Sequence, residues 1–200
     1  MHYYETAYIM RILWSTAKLP KGQIKMRKIY LLLMHTHTIP ANFVKFFTGY
    51  EYSHSALALT KDCARTFSFG RIGVGSPLHG GFTVQEKNGE FFNKFNKTNC
   101  IIYERKVTDK QYANLESMLN IMETNSHRYK YDFIGMIPRY FNIPVKLKNR
   151  FVCSYFTAYA LKKCGICNFS KDVCLIRPKD LENTDGFIPI YKGKFSEYGN

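Results

Sequence analysis

An α+β fold follows from three features of the 200-residue sequence. Apolar strand-like segments recur at 28–36 (KIYLLLMHT), 52–60 (YSHSALALT), 64–72 (ARTFSFGRI) and 99–107 (NCIIYERKV). The segment 108–125 (TDKQYANLESMLNIMETN) carries Tyr112, Leu115, Met118, Leu119 and Met122 at helical spacing. A second helical run, CSYFTAYALKKCG at 153–165, opens on a cysteine and stops at Gly165. Together they predict an antiparallel sheet packed against a helix headed by Cys153.

The elements follow in order. Residues 1–27 are expected to be an N-terminal extension and 28–200 the domain. Within the extension, ETAYIMRILWSTAKL reads as a short amphipathic helix ended by Pro20 and Gly22. The continuous apolar run at 28–36 reads as a buried strand. IPANFVKFFTGY (39–50) predicts a helix with Pro40 in its first turn and Phe43, Phe46 and Phe47 on one side. The strands at 52–60 and 64–72 meet at a short turn through Lys61 and Asp62, which predicts a hairpin. GVGSPLHGGF (73–82) lacks the GxxxxGK[ST] spacing of a phosphate loop and reads as a loop beside a site. Thr108 is the expected N-cap of the 108–125 helix, with Gln111 completing a capping box. YKYDFIGMIPRYF (129–141) is helical or irregular and interrupted by Pro138. The tail is turn-rich, with a short strand at FIPIY.

Composition narrows the function classes. Hydrophobic residues make up 46% of the chain and aromatics 16%, which is a globular rather than a disordered composition. The net charge of +14 favours anionic partners: nucleic acid, anionic lipid or an acidic polymer. The basic residues are scattered, with small clusters at Lys25, Arg27 and Lys28 and at Lys146, Lys148 and Arg150, so a dedicated nucleic-acid face is disfavoured. Six cysteines are too few for a disulfide scaffold of this length. With no signal-peptide pattern and no membrane-length apolar run, a cytoplasmic setting is expected.

Chemistry concentrates at Cys153. A thiol at a helix start faces unpaired N–H groups and the positive end of the helix dipole, which favour thiolate and nucleophilicity. A cysteine nucleophile needs a base, usually histidine. His54 lies on a strand and shares a face with the small residues Ala56 and Ala58. The HTH at 35–37 has the spacing of a metal pair but lacks a further ligand nearby, so a strand end lining the cleft is favoured. CGIC (164–167) ends a helix, whereas a redox pair belongs at a helix start. No metal and no cofactor are implied.

The succession YSHSALAL, TFSFGR, YKYDFIGMI, FVCSYFTAYALKKCGI resembles the permuted NlpC/P60 group of papain-like proteins, in which the His strand precedes the Cys helix. The likeness is strongest to the YiiX-like branch, similar in arrangement to the lecithin-retinol acyltransferase type, and covers roughly residues 28–180. The resemblance implies a papain-like fold with Cys153 as nucleophile and His54 as general base. It further implies Tyr131 lining the site near the oxyanion and Ser154 following the nucleophile, with the Cys153 backbone N–H as an oxyanion donor. Relatives carry a third polar residue on the strand after the His strand; here that strand offers Thr66 and Ser68, and Ser68 is the candidate orienter of His54. The implied substrates are wall-peptide amides or lipid acyl groups, with peripheral membrane contact as one route to the latter. The rival reading, supported by the lack of a carboxylate on that strand, is a non-catalytic module that binds an anionic ligand in the same cleft.

Overall fold

A computed structural model describes residues 25–36, 49–73 and 79–199. The expected helices within 1–27 and 39–50 lie largely outside the described residues, as do His2 and His37. The remaining elements are β1 (Met26–His35), β2 (His54–Ala58), β3 (Arg65–Arg71), β4 (Gly80–Glu86), α1 (Glu90–Lys94), β5 (Asn99–Thr108), α2 (Asp109–Thr124), β6 (Lys130–Tyr131), α3 (Phe133–Tyr140), β7 (Arg150–Phe151), α4 (Cys153–Lys163), α5 (Pro178–Glu182) and β8 (Ile188–Lys194).

The strands form one eight-stranded sheet in the order β7-β6-β4-β3-β2-β1-β5-β8, and the architecture is α+β. The expectation of an antiparallel sheet holds for every pair except β6–β7, which run parallel. Strand alternation divides the core in two. Ile29, Leu31, Leu33, Leu57, Phe67, Phe69 and Phe82 face helices α2 and α4. Tyr30, Leu32, Met34, Ala56, Ala58 and Ile102 face the other way, against Phe92 of α1 and Phe195. The register fixes this division, because Leu31 pairs with Leu57 and Leu33 with Ser55 on one face, while Leu32 pairs with Ala56 and Met34 with His54 on the other.

On the helix side the sheet meets α4 through rings. Phe69 lies 5.1 Å from Phe156, 5.0 Å from Phe151 and 5.7 Å from Phe82, centroid to centroid. Offset and edge contacts of this kind add directionality to apolar burial. Helix α2 starts on the expected capping box. The Thr108 hydroxyl accepts from the Gln111 N–H at 3.2 Å, and the Gln111 side chain accepts from the Thr108 N–H at 2.9 Å. Helix α4 ends at Cys164, and Gly165 follows with φ +66°, the left-handed conformation that suits glycine after a helix.

Three expectations are corrected. The extension boundary at 27 falls inside β1, since Met26 and Arg27 pair with Thr108 and Val107. The loop read at 73–82 ends before Gly80, because Gly80, Gly81 and Phe82 pair with β3. The glycines are there for close approach: a Cβ on Gly80 would stand 2.8 Å from the Tyr131 Cβ, and one on Gly81 would stand 2.6 Å from the Tyr129 carbonyl. The 129–141 segment resolves into a two-residue strand and helix α3. Pro138 is tolerated inside α3 because the helix is already closing, with the Phe141 and Ile143 N–H groups both donating to its carbonyl at 3.0 Å.

The sheet has two edges. At one, β7 is only two residues long. At the other, β8 carries Pro189, Lys192 and Lys194.

Candidate active site

Cys153 is the first residue of α4, and the N-cap before it, Val152, provides no side-chain cap. The first N–H groups of the helix therefore stay open toward the cysteine. The thiol lies against the N–H groups of Cys153 and Ser154 and against both the N–H and the hydroxyl of Ser55 on β2. Ser55 is free to do this because β2 and β3 are joined in register at one position only, Leu57 with Phe67. Toward Ser55 the strands part, and the Ser68 hydroxyl donates to the Ser55 carbonyl at 2.5 Å. The Ser55 hydroxyl also pairs with the Thr157 hydroxyl one turn into α4, at 3.0 Å. The Ser55, Ser68 and Thr157 hydroxyls thus form a small polar network beside the sulfur.

The side chain is 5% exposed. Burial pushes the Cys153 thiol above the ordinary range, and the donors from Ser55 and Ser154 pull it part of the way back. At neutral pH it is a thiol, and it needs a base to react.

Tyr131 stands on the same side. It ends β6, packs where Gly80 leaves room, and faces Cys153 closely enough that a thiolate there adds to the burial that raises the phenol. Its ring meets that of Phe133, the first residue of α3, at a tilt of 47° with centroids 4.7 Å apart. Next to it, Asp132 is fully buried; its carboxylate caps α3 by accepting from the Gly135 N–H at 2.9 Å and pairs with the Arg139 guanidinium.

His54 is placed differently. The β1–β2 register puts it on the face of Met34, Ala56 and Ala58, opposite the face that Ser55 turns toward α4. Its ring lies over Gly70, with Cε1 3.3 Å from where a Cβ would be, and near the Thr83 methyl. Burial lowers its pKa from the usual 6.5 to about 4, so the imidazole is neutral at pH 7. Among the described residues no hydrogen bond joins the His54 ring to the Cys153 thiol. The structure therefore brings Cys153 together with Tyr131 and Ser154, and leaves His54 on the far side of β2.

Two further expectations change. Among the described residues no hydrogen bond joins Ser68 to His54; the Ser68 hydroxyl donates to the Ser55 carbonyl. The Ser154 hydroxyl is turned inward to the Ile176 carbonyl at 2.6 Å, where it anchors the following segment instead of facing a substrate. The Cys153 N–H is at the start of the helix.

The residues that sequence reading missed are Ser55 and Thr157. The period-2 rule that paired His54 with Ala56 also paired Ser55 with Leu57, and Thr157 lies one helical turn beyond Cys153; both signals were present. His35 is a second imidazole turned to the helix side by alternation, with Nδ1 3.2 Å from the Ser53 hydroxyl. Cys164, Cys167 and Cys174 are buried free thiols, and burial raises each. Among the described residues no cluster of histidine, cysteine and carboxylate side chains could hold a metal ion. No helix of the described residues is long and apolar enough to cross a membrane. No family model matches the sequence, and no curated protein does.

Proposed function

We propose that the protein is a cysteine-dependent acyl hydrolase or acyltransferase on a papain-like fold, with Cys153 as the nucleophile. The observation that carries the reading is the seat of the thiol: an uncapped helix start, with Ser55 of β2 and Tyr131 beside the sulfur. In this reading the sulfur attacks an amide, ester or thioester carbonyl while its proton passes to a base. The resulting oxyanion is met by the N–H groups at the start of α4; it collapses to an acyl-enzyme as the amine, alcohol or thiol leaves with the proton from the base, and water or another acceptor then cleaves the thioester. His54 is the base, already neutral at pH 7. To act, its ring must come to the helix side of β2. Wall-peptide amides and lipid acyl groups are the candidate substrates.

The far-side position of His54 favours a second reading, a binding module that retains the cleft without turnover. Iodoacetamide labelling at pH 7 separates the two. A working site labels Cys153 faster than the buried Cys100, and His54→Ala slows Cys153 by at least about a hundredfold, the usual scale of a general base. Equal rates at Cys153 and Cys100, unchanged by His54→Ala, leave the binding module standing.

A further inference from the structure

Helix α3 is built inside out. Its inward side carries the ion pair of Asp132 and Arg139, which are 0% and 6% exposed. Gly135 lies over this pair, where any Cβ would overlap the Asp132 carboxylate and the Arg139 guanidinium. The Arg139 Nε is further tied to the Val145 carbonyl at 2.9 Å. The outward side and the segment just past the helix are apolar: Ile134 is 69% exposed and Ile137 68%, followed by Phe141 at 68% and Ile143 at 54%. Scattered surface apolar residues are ordinary, but four large ones exposed within ten residues mark a contact surface.

The surroundings indicate what it contacts. Lys130 lies three residues before the helix and pairs in register with Arg150 of β7, and Lys148 lies two residues before Arg150. None of the three enters the seven ion pairs found among the described residues. Unneutralised cations beside exposed isoleucine and phenylalanine are the composition of a segment that lies in the plane of an anionic bilayer. With eight residues, α3 is far too short to span one.

We propose that α3 and the segment through Ile143 form a docking surface for an anionic lipid bilayer, with the apolar residues entering the headgroup boundary and Lys130, Lys148 and Arg150 meeting lipid phosphates and carboxylates. The docking does not depend on Cys153 being a nucleophile. Its geometry has a consequence for the site, however, since the ring contact of Phe133 with Tyr131 places the docked helix near the thiol.

The test is flotation of the full chain with vesicles of phosphatidylcholine alone and of phosphatidylcholine with 30% phosphatidylserine. The wild type is expected to float with the anionic vesicles and to dissociate as salt is raised. Ile134→Asp with Ile137→Asp abolishes flotation, and Lys130→Glu with Lys148→Glu weakens it by more than about tenfold. Ile121→Asp, an exposed isoleucine on α2, leaves it unchanged. Phe141→Trp provides a readout that needs no loss of function, because its emission shifts to the blue on adding anionic vesicles and does not on adding neutral ones. The proposal is overturned if the wild type ignores anionic vesicles, or if the α3 variants float as well as the wild type. It is equally overturned if the patch mediates a concentration-dependent dimer without lipid that the same variants dissolve.

Discussion

Helices α3 and α4 are neighbours in the chain and opposites in construction. In α4, eight of eleven residues are buried, and its buried polar side chains are small and neutral. Two of them are bonded at once to the sheet or to the following segment: Thr157 to Ser55 and Ser154 to Ile176. Polar groups satisfied in this way cost little to bury. In α3 the buried polar groups are a full ion pair, and the apolar side chains are outside. Desolvating two charges is expensive, and their attraction offsets it only while both are present. In this contrast α4 is held by its core and α3 mainly by a buried polar network around Asp132 and Arg139, which leaves the apolar face of α3 available for other contacts.

The sharpest way to break the comparison is Arg139→Ala. It strands the Asp132 carboxylate in the interior and should cost about 3–5 kcal/mol in urea unfolding. Next comes a pH effect on the far side of β2. Between about pH 6.5 and 4 the unfolded chain takes up the His54 proton before the folded chain does, so stability falls as pH drops through this window. A comparison of the wild type with His54→Gln at pH 7 and pH 4 should show about 2–3 kcal/mol of loss in the wild type that the variant lacks. Ser55→Ala sharpens the α4 side. It removes the partner of Thr157 and one donor from the thiol, with an expected cost of about 1–2 kcal/mol. It should also slow alkylation of Cys153 at every pH below its titration, as mass spectrometry of the labelled protein would show. The smallest effect belongs to Ile134→Asp with Ile137→Asp, expected to stay within about 0.5 kcal/mol per site because both side chains are already in solvent. A large loss there would mean that the apolar face of α3 contributes to the fold.

Sequence reasoning reached the parts of the molecule whose pattern is local. The apolar run of β1, the β2–β3 hairpin, the Thr108–Gln111 capping box and the stop at Gly165 each depend on residues close in the chain, and each is present. It failed where a distant partner decides. Gly80 and Gly81 read as loop residues because glycine is a poor strand former, but they are in β4 so that Tyr131 and Tyr129 can lie against it. Asp132 and Arg139 gave no signal as a pair, because their bond depends on the missing Cβ of Gly135. At the site, the cysteine at the helix start was legible, and so was the alternation that separates His54 from Ser55. Which of those two faces turns toward α4 could not be read from β2 alone; the register with β1 and the packing of Phe69 on Phe156 determine it.

The two ends of the sheet bear on how this chain behaves at high concentration. A sheet grows into fibrils by recruiting another chain onto an open edge, which requires several unobstructed backbone donors in a row. The two residues of β7 are too few to template such a ladder. Along β8, Pro189 lacks a donor, and the lysines at 192 and 194 repel a second copy of the same strand. A chain with exposed isoleucines on α3 and on β8 itself would otherwise be prone to ordered aggregation. These terminal strands disfavour cross-β stacking of the described sheet, so its self-association should not yield clusters that bind thioflavin T.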